Sequence, residues 1–367
     1  MAETIRIAEL ANLITKEIGD FLKWTIHPEN DLNFPCLMNT KHFDGAEETD
    51  NKTHPTDLVI YYDDPYENKR VYLNTDLKSY ETKSIGPTSV KEWLTSITKG
   101  TVCSLASDEW RQRYGIEGTY EIRGLLFIYN HDGKFDKPFF SYIYDYPNPP
   151  HTGKRAPQRF HLKDLNVPAN LKLHVMDPLL IDNILSIRHD LNILRSEQKV
   201  PLSDAYAPIS FFYPTRQRFK SRFTPPECPA TIELISGPFF IMTYDNYTDF
   251  VPNPLEPSTP TAISRSRGNI IYYKEIGSTV DEFIYLIETL MMYELIAENC
   301  ITRIRHCARD KATTAKQNFI SAIEKYCVMW DYSESMKSIF NKIEFEEVTI
   351  IQKVFCNQKI DRSPVKD

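Results

Sequence analysis

The chain has 367 residues, of which 41% are hydrophobic and 12% aromatic, so it can build one large domain or two ordinary domains with a sizeable core. Its formal net charge of −7 excludes a globally basic nucleic-acid-binding protein, and any nucleic acid must be bound through local basic patches. The seven cysteines are scattered without CxxC spacing, which favours free thiols over a disulfide framework. A metal site built from Cys300, His306 and Cys307 is disfavoured because a structural zinc ion needs four well-placed ligands.

The sequence predicts neither a signal peptide nor a membrane-spanning helix. The N-terminal segment carries charges from position 3 onward and has no uncharged apolar core, so no signal peptide is predicted. The most apolar helical stretch, residues 283–297, is interrupted by Glu288 and Glu294 and is not expected to span a membrane. We therefore expect a cytoplasmic protein without membrane contact.

The first predicted element is an amphipathic helix over residues 4–24. Its apolar stripe recurs at helical spacing and comprises Ile7, Leu10, Ile14 and Phe21. Position 17 falls on the same stripe, but it is a glutamate. Glu17 is thus an acid where an apolar residue is expected.

A β-hairpin is predicted next, because two strand-like runs flank a segment rich in turn residues. Residues 57–62 form the first run and residues 70–78 the second, and the connection between them contains Asp63, Asp64 and Pro65. A helix over residues 88–112, a buried strand over 121–129 and a further strand over 138–146 follow. This order predicts an α/β fold (an α+β mixed sheet) flanked by helices.

The remainder of the chain is predicted as two further regions. Residues 147–277 contain a Pro-rich basic stretch, a strand and a helix at 171–197, and several strands at 209–213, 231–235, 239–244 and 269–273. Residues 279–345 are predicted to be helical, beginning with a capping box at Ser278. The predicted domains are therefore residues 1–146, residues 147–277 and a helical C-terminal region with a loose tail, residues 278–367.

The second hairpin strand ends in the triplet Asp76-Leu77-Lys78, and Asp57 begins the first strand about twenty residues upstream. Alternation along a strand places Asp76 and Lys78 on one face, together with Asn74 and Tyr72. If the two strands pair, Asp57 and Asp76 can share a divalent cation, with the backbone carbonyl of Leu77 as a third ligand. Oxygen ligands of this kind suit Mg²⁺ or Mn²⁺.

Such a cation would polarise a scissile phosphate and lower the pKa of a bound water. Lys78 would position the water or stabilise the negative charge that develops during phosphodiester cleavage. These residue types in this arrangement therefore point to a metal-dependent phosphodiesterase.

The pattern Pro55-Thr56-Asp57 followed by Asp76-Leu77-Lys78 resembles the PD-(D/E)xK nuclease superfamily, which has a restriction-endonuclease-like fold. The resemblance covers about residues 1–145 and departs from the motif at Thr56, which separates the proline from the aspartate. It implies Mg²⁺-dependent cleavage of DNA, less often of RNA. It also implies that Asp57 and Asp76 are metal ligands, that Lys78 is the catalytic lysine, and that Glu17 is an auxiliary acid from the first helix that faces the site and contributes to catalysis and metal binding.

Two other interpretations of the same residues stay open. The hairpin charges can be a solvated surface of a structural subunit, because aspartate and lysine are common on exposed strands. The fold can also be nuclease-like but inactive, serving as a subunit that binds nucleic acid or protein within a larger complex.

Several basic segments are candidates for a nucleic-acid track. Arg216, Arg218, Lys220 and Arg222 would share one face of an extended segment and are the predicted nucleic-acid-binding residues. The alternative is an edge strand protected by charge. Smaller candidates are Arg265 and Arg267, the flap residues Lys154, Arg155 and Arg159, and a basic helical stretch comprising Arg303, Arg305, Arg309, Lys311 and Lys316.

The chain contains no GxxxxGK[ST], GxGxxG, GxSxG or HExxH motif. It is therefore not expected to hydrolyse nucleotides, and an ATPase or helicase partner would have to supply any energy. We predict a nuclease in bacterial antiviral defence or restriction, regulated by or working with a partner protein, and self-association into a homo-oligomer is plausible from the amphipathic C-terminal helices.

Overall fold

The structure is a computed structural model that describes residues 2–144, 159–204, 207–214, 228–251, 261–354 and 361–364. The chain forms two compact units. The first comprises Met1–Ile184 and Ile351–Pro364, and the second comprises Leu185–Ile350. In the described part of the chain, no helix is both long enough and apolar enough to cross a bilayer.

The first unit is built on a five-stranded mixed sheet in the order β1-β4-β5-β6-β7. Its strands are β1 (Thr25–Ile26), β4 (Leu58–Asp63), β5 (Arg70–Tyr80), β6 (Tyr120–Asn130) and β7 (Leu173–Met176). A separate antiparallel hairpin consists of β2 (Leu32–Pro35) and β3 (Thr53–Thr56). The long strands β5 and β6 are parallel, whereas β4 is antiparallel to β5, so the predicted mixed sheet is confirmed.

The helices of the first unit lie around this sheet and are α1 (Ala2–Leu22), the short α2 (Asn39–His42), α3 (Pro87–Ala106) and α4 (Asp108–Arg113). Helix α5 (Pro178–Ser196) runs across residue 184, where the chain passes from the first unit into the second. The predicted helix over 88–112 is thus two helices. Ser107 separates them, and its side chain accepts a hydrogen bond from the Trp110 N–H, which starts α4.

Helices α1 and α3 cover opposite faces of the sheet. Gly19 of α1 lies over Ile26 of β1. Ile26 is paired with Ile60 of β4, and Ile60 is paired with Leu73 of β5, so these three residues share one face of the sheet. On the other face, Asn74 of β5 contacts Thr101 of α3. Since side chains alternate along β5, its even-numbered residues face α3 and its odd-numbered residues face α1.

The packing of α3 depends on a glycine. Gly124 of β6 stands opposite Asn74, and a Cβ atom at this position would lie 2.7 Å from Leu173 and 2.8 Å from the hydroxyl of Thr101. Only glycine therefore lets α3 approach the sheet this closely.

The predicted hairpin is confirmed, with Leu58 opposite Thr75 and Asp63 opposite Arg70.

The second unit contains another five-stranded sheet, in the order β14-β13-β12-β9-β8. Its strands are β8 (Ser210–Phe211), β9 (Phe239–Tyr244), β12 (Gly268–Tyr273), β13 (Ile301–His306) and β14 (Glu344–Glu347). Three helices pack with this sheet around an apolar core: α7 (Val280–Met292), α8 (Ala315–Met329) and α9 (Glu334–Phe340). A fourth, short helix, α6 (Ile232–Ser236), precedes β9.

The remaining described strands form two antiparallel pairs outside both sheets. The first pair comprises β10 (Tyr247–Val251) and β11 (Thr261–Arg265), and the second comprises β15 (Ile351–Val354) and β16 (Asp361–Pro364).

Three predictions of secondary structure are wrong. Residues 139–142 form a 3₁₀ helix rather than a strand, and Ile143 makes only an isolated bridge to Phe160. Residues 232–236 form α6, because the Thr231 side chain caps the Leu234 N–H. The supposedly helical region 279–345 contributes the parallel strands β13 and β14: β13 is buried from Thr302 to His306 and pairs with both β12 and β14.

The three predicted domains stay a prediction, but the sheets cross their boundaries. Strand β7 joins the first sheet although it lies beyond residue 146, and β12 pairs with β13 across residue 277.

Candidate active site

Asp57 lies at a junction in the first unit. The chain leaves β3 at Thr56 and enters β4 at Leu58, so Asp57 is the single residue between the small hairpin and the main sheet. Its backbone carbonyl accepts a hydrogen bond from the Asp31 N–H at 2.9 Å. The backbone around Asp57 is therefore held on both sides, which fixes the position from which its side chain extends.

The carboxylate of Asp57 reaches the end of β5. Its Oδ2 accepts a hydrogen bond from the Leu77 N–H at 2.7 Å, between the two other residues of the triplet. This contact extends the β4–β5 pairing by one side-chain hydrogen bond. Because the N–H and C=O of a strand residue point to the same side, the Leu77 carbonyl is directed toward the edge where Asp57 lies.

Asp76 and Lys78 lie together on the face of β5 that alternation predicts. Asp76 Oδ1 is 2.5 Å from Lys78 Nζ. The Asp76 side chain is 7% exposed, whereas that of Lys78 is 24% exposed, so the ammonium group reaches solvent while the carboxylate does not. The structure thus brings Asp57, Asp76 and Lys78 into one small region.

The two carboxylates disfavour each other's charge. Burial, together with the neighbouring Asp76 carboxylate, raises the pKa of Asp57 to about 6, although the Leu77 N–H and Lys78 act in the opposite direction. One lysine does not neutralise two converging acids. The site therefore carries negative charge that a cation would offset.

The surroundings of Asp76 support the same conclusion. Its buried Oδ1 has the Lys78 ammonium group 2.5 Å away. One ammonium group leaves further lone pairs of a carboxylate available to a cation. Two carboxylates and a nearby carbonyl are the hard oxygen ligands that Mg²⁺ and Mn²⁺ prefer, so these residues fit a divalent cation.

A polar network behind the site was not identified from the sequence. The Thr56 hydroxyl donates to Asn74 Oδ1 at 3.2 Å and accepts from the Trp110 indole N–H at 3.3 Å. Asn74 Nδ2 donates in turn to Thr101 at 3.4 Å. The network anchors the residue before Asp57 to β5, α3 and α4. An isolated threonine carries no sequence signal for such a role.

Glu17 lies half-buried on α1, beside rather than within the buried stripe. That stripe follows i, i+4 spacing and comprises Leu10, Ile14, Ile18 and Leu22. Helix α1 covers the odd-numbered face of β5, whereas Asp76 and Lys78 project from the even-numbered face. The role of Glu17 as an auxiliary acid stays a prediction.

The predicted nucleic-acid-binding residues Arg216, Arg218, Lys220 and Arg222 lie outside the described residues, as do Lys154 and Arg155 of the flap. Arg159 is described and stacks over the ring of Tyr144, with its guanidinium carbon 5.2 Å from the ring centroid. Arg265 is paired with Asp249 at 3.3 Å, and Arg267 is exposed.

The prediction of a basic helical stretch is wrong for Arg303 and Arg305. Both lie on β13 and are buried, because each is paired with acids of the second unit. Arg303 Nε is 2.8 Å from Glu344 Oε2, and Arg305 pairs with Asp190 and Glu346. Cations neutralised in this way do not offer a phosphate track, and of the five residues only Lys316 is both helical and exposed.

Residues 1–179 match the family model described as "GAPS4 protein PD-(D/E)XK nuclease domain". This range contains β1 to β7 and the Asp57–Asp76–Lys78 cluster. Searches of curated proteins and of solved structures give no significant match.

Proposed function

Because residues 1–179 form a nuclease domain of the PD-(D/E)XK superfamily, we propose that the protein is a Mg²⁺-dependent nuclease whose site comprises Asp57, Asp76, Lys78 and the Leu77 carbonyl. The observation that carries the proposal is the convergence of two acids on the Leu77 segment. Asp57 reaches it from the β3–β4 junction and Asp76 from β5, and the buried Oδ1 of Asp76 lies beside Lys78.

Each residue has a distinct task in the proposed reaction. Asp57 and Asp76 supply the carboxylate oxygens that would hold Mg²⁺ or Mn²⁺, and the Leu77 carbonyl faces the same edge. The bound cation supplies charge neutralisation and Lewis acidity at the phosphate. Lys78, the more exposed of the cluster, offers an ammonium group to the charge that develops on the phosphate oxygens or to the attacking water. Glu17 is retained as a proposed auxiliary acid.

We propose DNA as the substrate in preference to RNA, since cleavage of DNA is the usual activity that the resemblance implies. Arg216, Arg218, Lys220 and Arg222 remain the proposed backbone contacts. A role in bacterial defence or restriction, with a regulatory protein or an ATPase partner, follows by analogy with nucleases of this fold. The cytoplasmic location and a homo-oligomeric state stay predictions.

The test is a cleavage assay with the full chain on linear and supercoiled DNA, single-stranded DNA and RNA. We expect cleavage with Mg²⁺ or Mn²⁺ and none with EDTA. Asp76→Ala and Lys78→Ala should each lower the rate by at least about 100-fold, because each removes a group that acts on the reacting phosphate. Circular dichroism and the melting temperature would show that both variants are folded.

Asp63→Ala is the matched control. Asp63 lies on the same hairpin, is exposed and pairs with Arg70 at the opposite end of β4. This variant should cleave at the wild-type rate. Cleavage that persists in Asp76→Ala, or that needs no divalent cation, would contradict the proposed site.

The alternative function is a catalytically inactive subunit that binds nucleic acid or protein. It predicts that the folded protein cleaves no substrate in the panel, with or without candidate partners, yet binds nucleic acid in a mobility-shift assay. The convergence of Asp57 and Asp76 on the Leu77 segment, with Lys78 against Asp76, favours the active nuclease, because these are the groups that the proposed reaction requires. A plaque assay that compares hosts expressing wild-type protein and Asp76→Ala tests the defence role.

A further inference from the structure

Four buried side chains of the first unit bring metal-binding atoms together away from the Asp76 triplet. They are Cys36, His42, His54 and Cys103. Cys36 directly follows β2, His42 ends α2, His54 lies in β3, and Cys103 lies in α3. Each offers one ligand atom, and these four atoms lie within 4.8 Å of one another. In the described part of the chain, this is the one such group of histidine, cysteine or acidic residues.

The distances match the edges of a tetrahedron around zinc. Zn–S and Zn–N bonds of about 2.3 Å and 2.05 Å give tetrahedral edges of about 3.8 Å between two sulfurs, 3.6 Å between sulfur and nitrogen, and 3.3 Å between two nitrogens. Cys36 Sγ is 3.8 Å from Cys103 Sγ. His42 Nδ1 is 3.4 Å from each sulfur and 3.1 Å from His54 Nε2. Four of the six edges thus agree with a zinc tetrahedron to within about 0.3 Å.

Backbone contacts also hold Cys36 in place as a ligand. The Met38 N–H donates to Cys36 Sγ at 3.3 Å, from two residues further along the chain. The Cys36 N–H in turn donates to the Lys52 carbonyl at 2.8 Å, which fixes this residue on the β2–β3 hairpin. Backbone N–H donors to a ligand sulfur are the outer-shell contacts that orient metal ligands.

The geometry points to a structural zinc site formed by Cys36, His42, His54 and Cys103. The S₂N₂ donor set and tetrahedral edges select zinc over Mg²⁺ or Mn²⁺, which prefer oxygen. All four positions are taken by protein ligands, and all four residues are buried, which is typical of a structural rather than a catalytic zinc.

The site has a clear mechanical role. It joins the β2–β3 hairpin and α2 to α3, which follows β3 in the chain only after β4 and β5. His54 is three residues before Asp57, on the strand that leads into the β3–β4 junction. Zinc would therefore fix the hairpin that delivers Asp57 to the Asp76 triplet. The inference concerns a cation different from the proposed Mg²⁺ and does not depend on nuclease activity.

Metal analysis of the full-length protein tests the inference. The protein would be purified on a resin without immobilised metal and analysed by plasma mass spectrometry. We expect about one zinc per chain and, after exchange into Co²⁺, the ligand-field and thiolate charge-transfer absorption of a tetrahedral S₂N₂ site. Cys103→Ser should lower the zinc content at least about tenfold.

Two control variants separate this site from other effects. Cys327→Ser removes another buried cysteine, on α8, and should keep the full zinc content. Asp76→Asn should also keep it, since its side chain belongs to the proposed Mg²⁺ site. Co²⁺ absorption of the wild-type protein tests the ligand set even where Cys103→Ser fails to fold.

Three results would overturn the inference. Wild-type protein that contains less than about a tenth of a zinc per chain and takes none up from zinc chloride would show a hydrogen-bonded cluster alone. A disulfide between Cys36 and Cys103 in protein purified under reducing conditions would exclude the thiolate ligands. Zinc that persists in folded Cys103→Ser, or disappears in Asp76→Asn, would place the ion elsewhere.

Discussion

Buried charge is arranged differently in the two units of the molecule. In the second unit, the buried guanidinium of Arg305 meets Asp190, with Nε 3.0 Å from Oδ2, and also pairs with Glu346. In the first unit, Asp57 and Asp76 approach each other with Lys78 as the cation in contact with Asp76. Because the Glu346 side chain is 45% exposed, the buried part of the second-unit cluster is one cation and one acid, whereas one lysine faces two acids in the first unit.

The difference separates structural charge from functional charge. A buried cation with matching acids is satisfied by the fold itself and contributes to holding strands and helices together. An acid such as Asp57, whose pKa is raised by burial and by a neighbouring carboxylate, costs folding energy unless a further cation is bound. Arg303 and Arg305 looked like phosphate contacts by residue type, whereas Asp57 and Asp76 are distinguished by the imbalance of their surroundings.

The second-unit cluster should respond most strongly to the loss of one partner. Arg305→Met leaves Asp190, which is 3% exposed, as a buried acid without its guanidinium. We expect the free energy of unfolding to fall by about 3–5 kcal/mol, because the remaining charge stays desolvated. Urea unfolding followed by circular dichroism measures this change.

Lys325→Met is the control for a pair that lies in solvent. Lys325 is 2.8 Å from Asp281, and both side chains are largely exposed. This variant should change stability by less than about 1 kcal/mol. If the free energy of unfolding of Arg305→Met also falls by less than about 1 kcal/mol, the buried cluster does not stabilise the fold as proposed.

Removing an acid from the first-unit cluster should raise the free energy of unfolding rather than lower it. In EDTA at pH 7, Asp57→Asn should raise the free energy of unfolding by about 1–3 kcal/mol, because it removes a carboxylate whose pKa the fold raises from 3.8 to about 6. The same variant should lose cleavage activity. Thermal unfolding with and without Mg²⁺ checks the link, since Mg²⁺ should raise the melting temperature of the wild type more than that of Asp57→Asn.

The pH dependence follows from the same shift. Between about pH 4 and pH 6 the folded wild type binds more protons at Asp57 than the unfolded chain does, so this acid lowers stability as the pH rises and has no further effect above that range. The advantage of Asp57→Asn should therefore vanish below about pH 4. Asp63→Asn, at the exposed end of the hairpin, is the matched control and should show no such advantage. An Asp57→Asn variant less stable than the wild type at pH 7 in EDTA would contradict the charge imbalance.

The parts of the first unit that were predictable rest on local patterns. The β4–β5 hairpin follows from alternation and turn residues, and alternation also places Asp76 and Lys78 on one face. Asp57 could be assigned to the site because its distance along the chain fits a hairpin. The pattern therefore predicted those features that depend on neighbours in sequence or on one strand pair.

The parts that were missed depend on contacts between distant segments. The arginines of β13 were predicted to lie on a helix as phosphate contacts. They are buried because Arg303 pairs with Glu344 and Arg305 pairs with Asp190 and Glu346, all distant in sequence. The four ligands of the proposed zinc site come from four different elements, with no short motif. The position of Glu17 depends on which residues of α1 are buried: the stripe keeps Leu10 and Ile14 but continues through Ile18 and Leu22 instead of positions 17 and 21.

The smallest expected effect concerns the support of the active site rather than its charge. Thr56→Val keeps the shape of the side chain but removes the hydroxyl that links Asn74 and Trp110. Leaving these buried groups unpaired should lower the free energy of unfolding by about 1–2 kcal/mol and reduce cleavage by loosening the residue before Asp57. Thr53→Val, at an exposed position of the same strand, should stay within about 0.5 kcal/mol of the wild type. Equal effects of the two substitutions in urea unfolding would show that the network does not anchor Asp57, and the difference between the two units would then rest on charge alone.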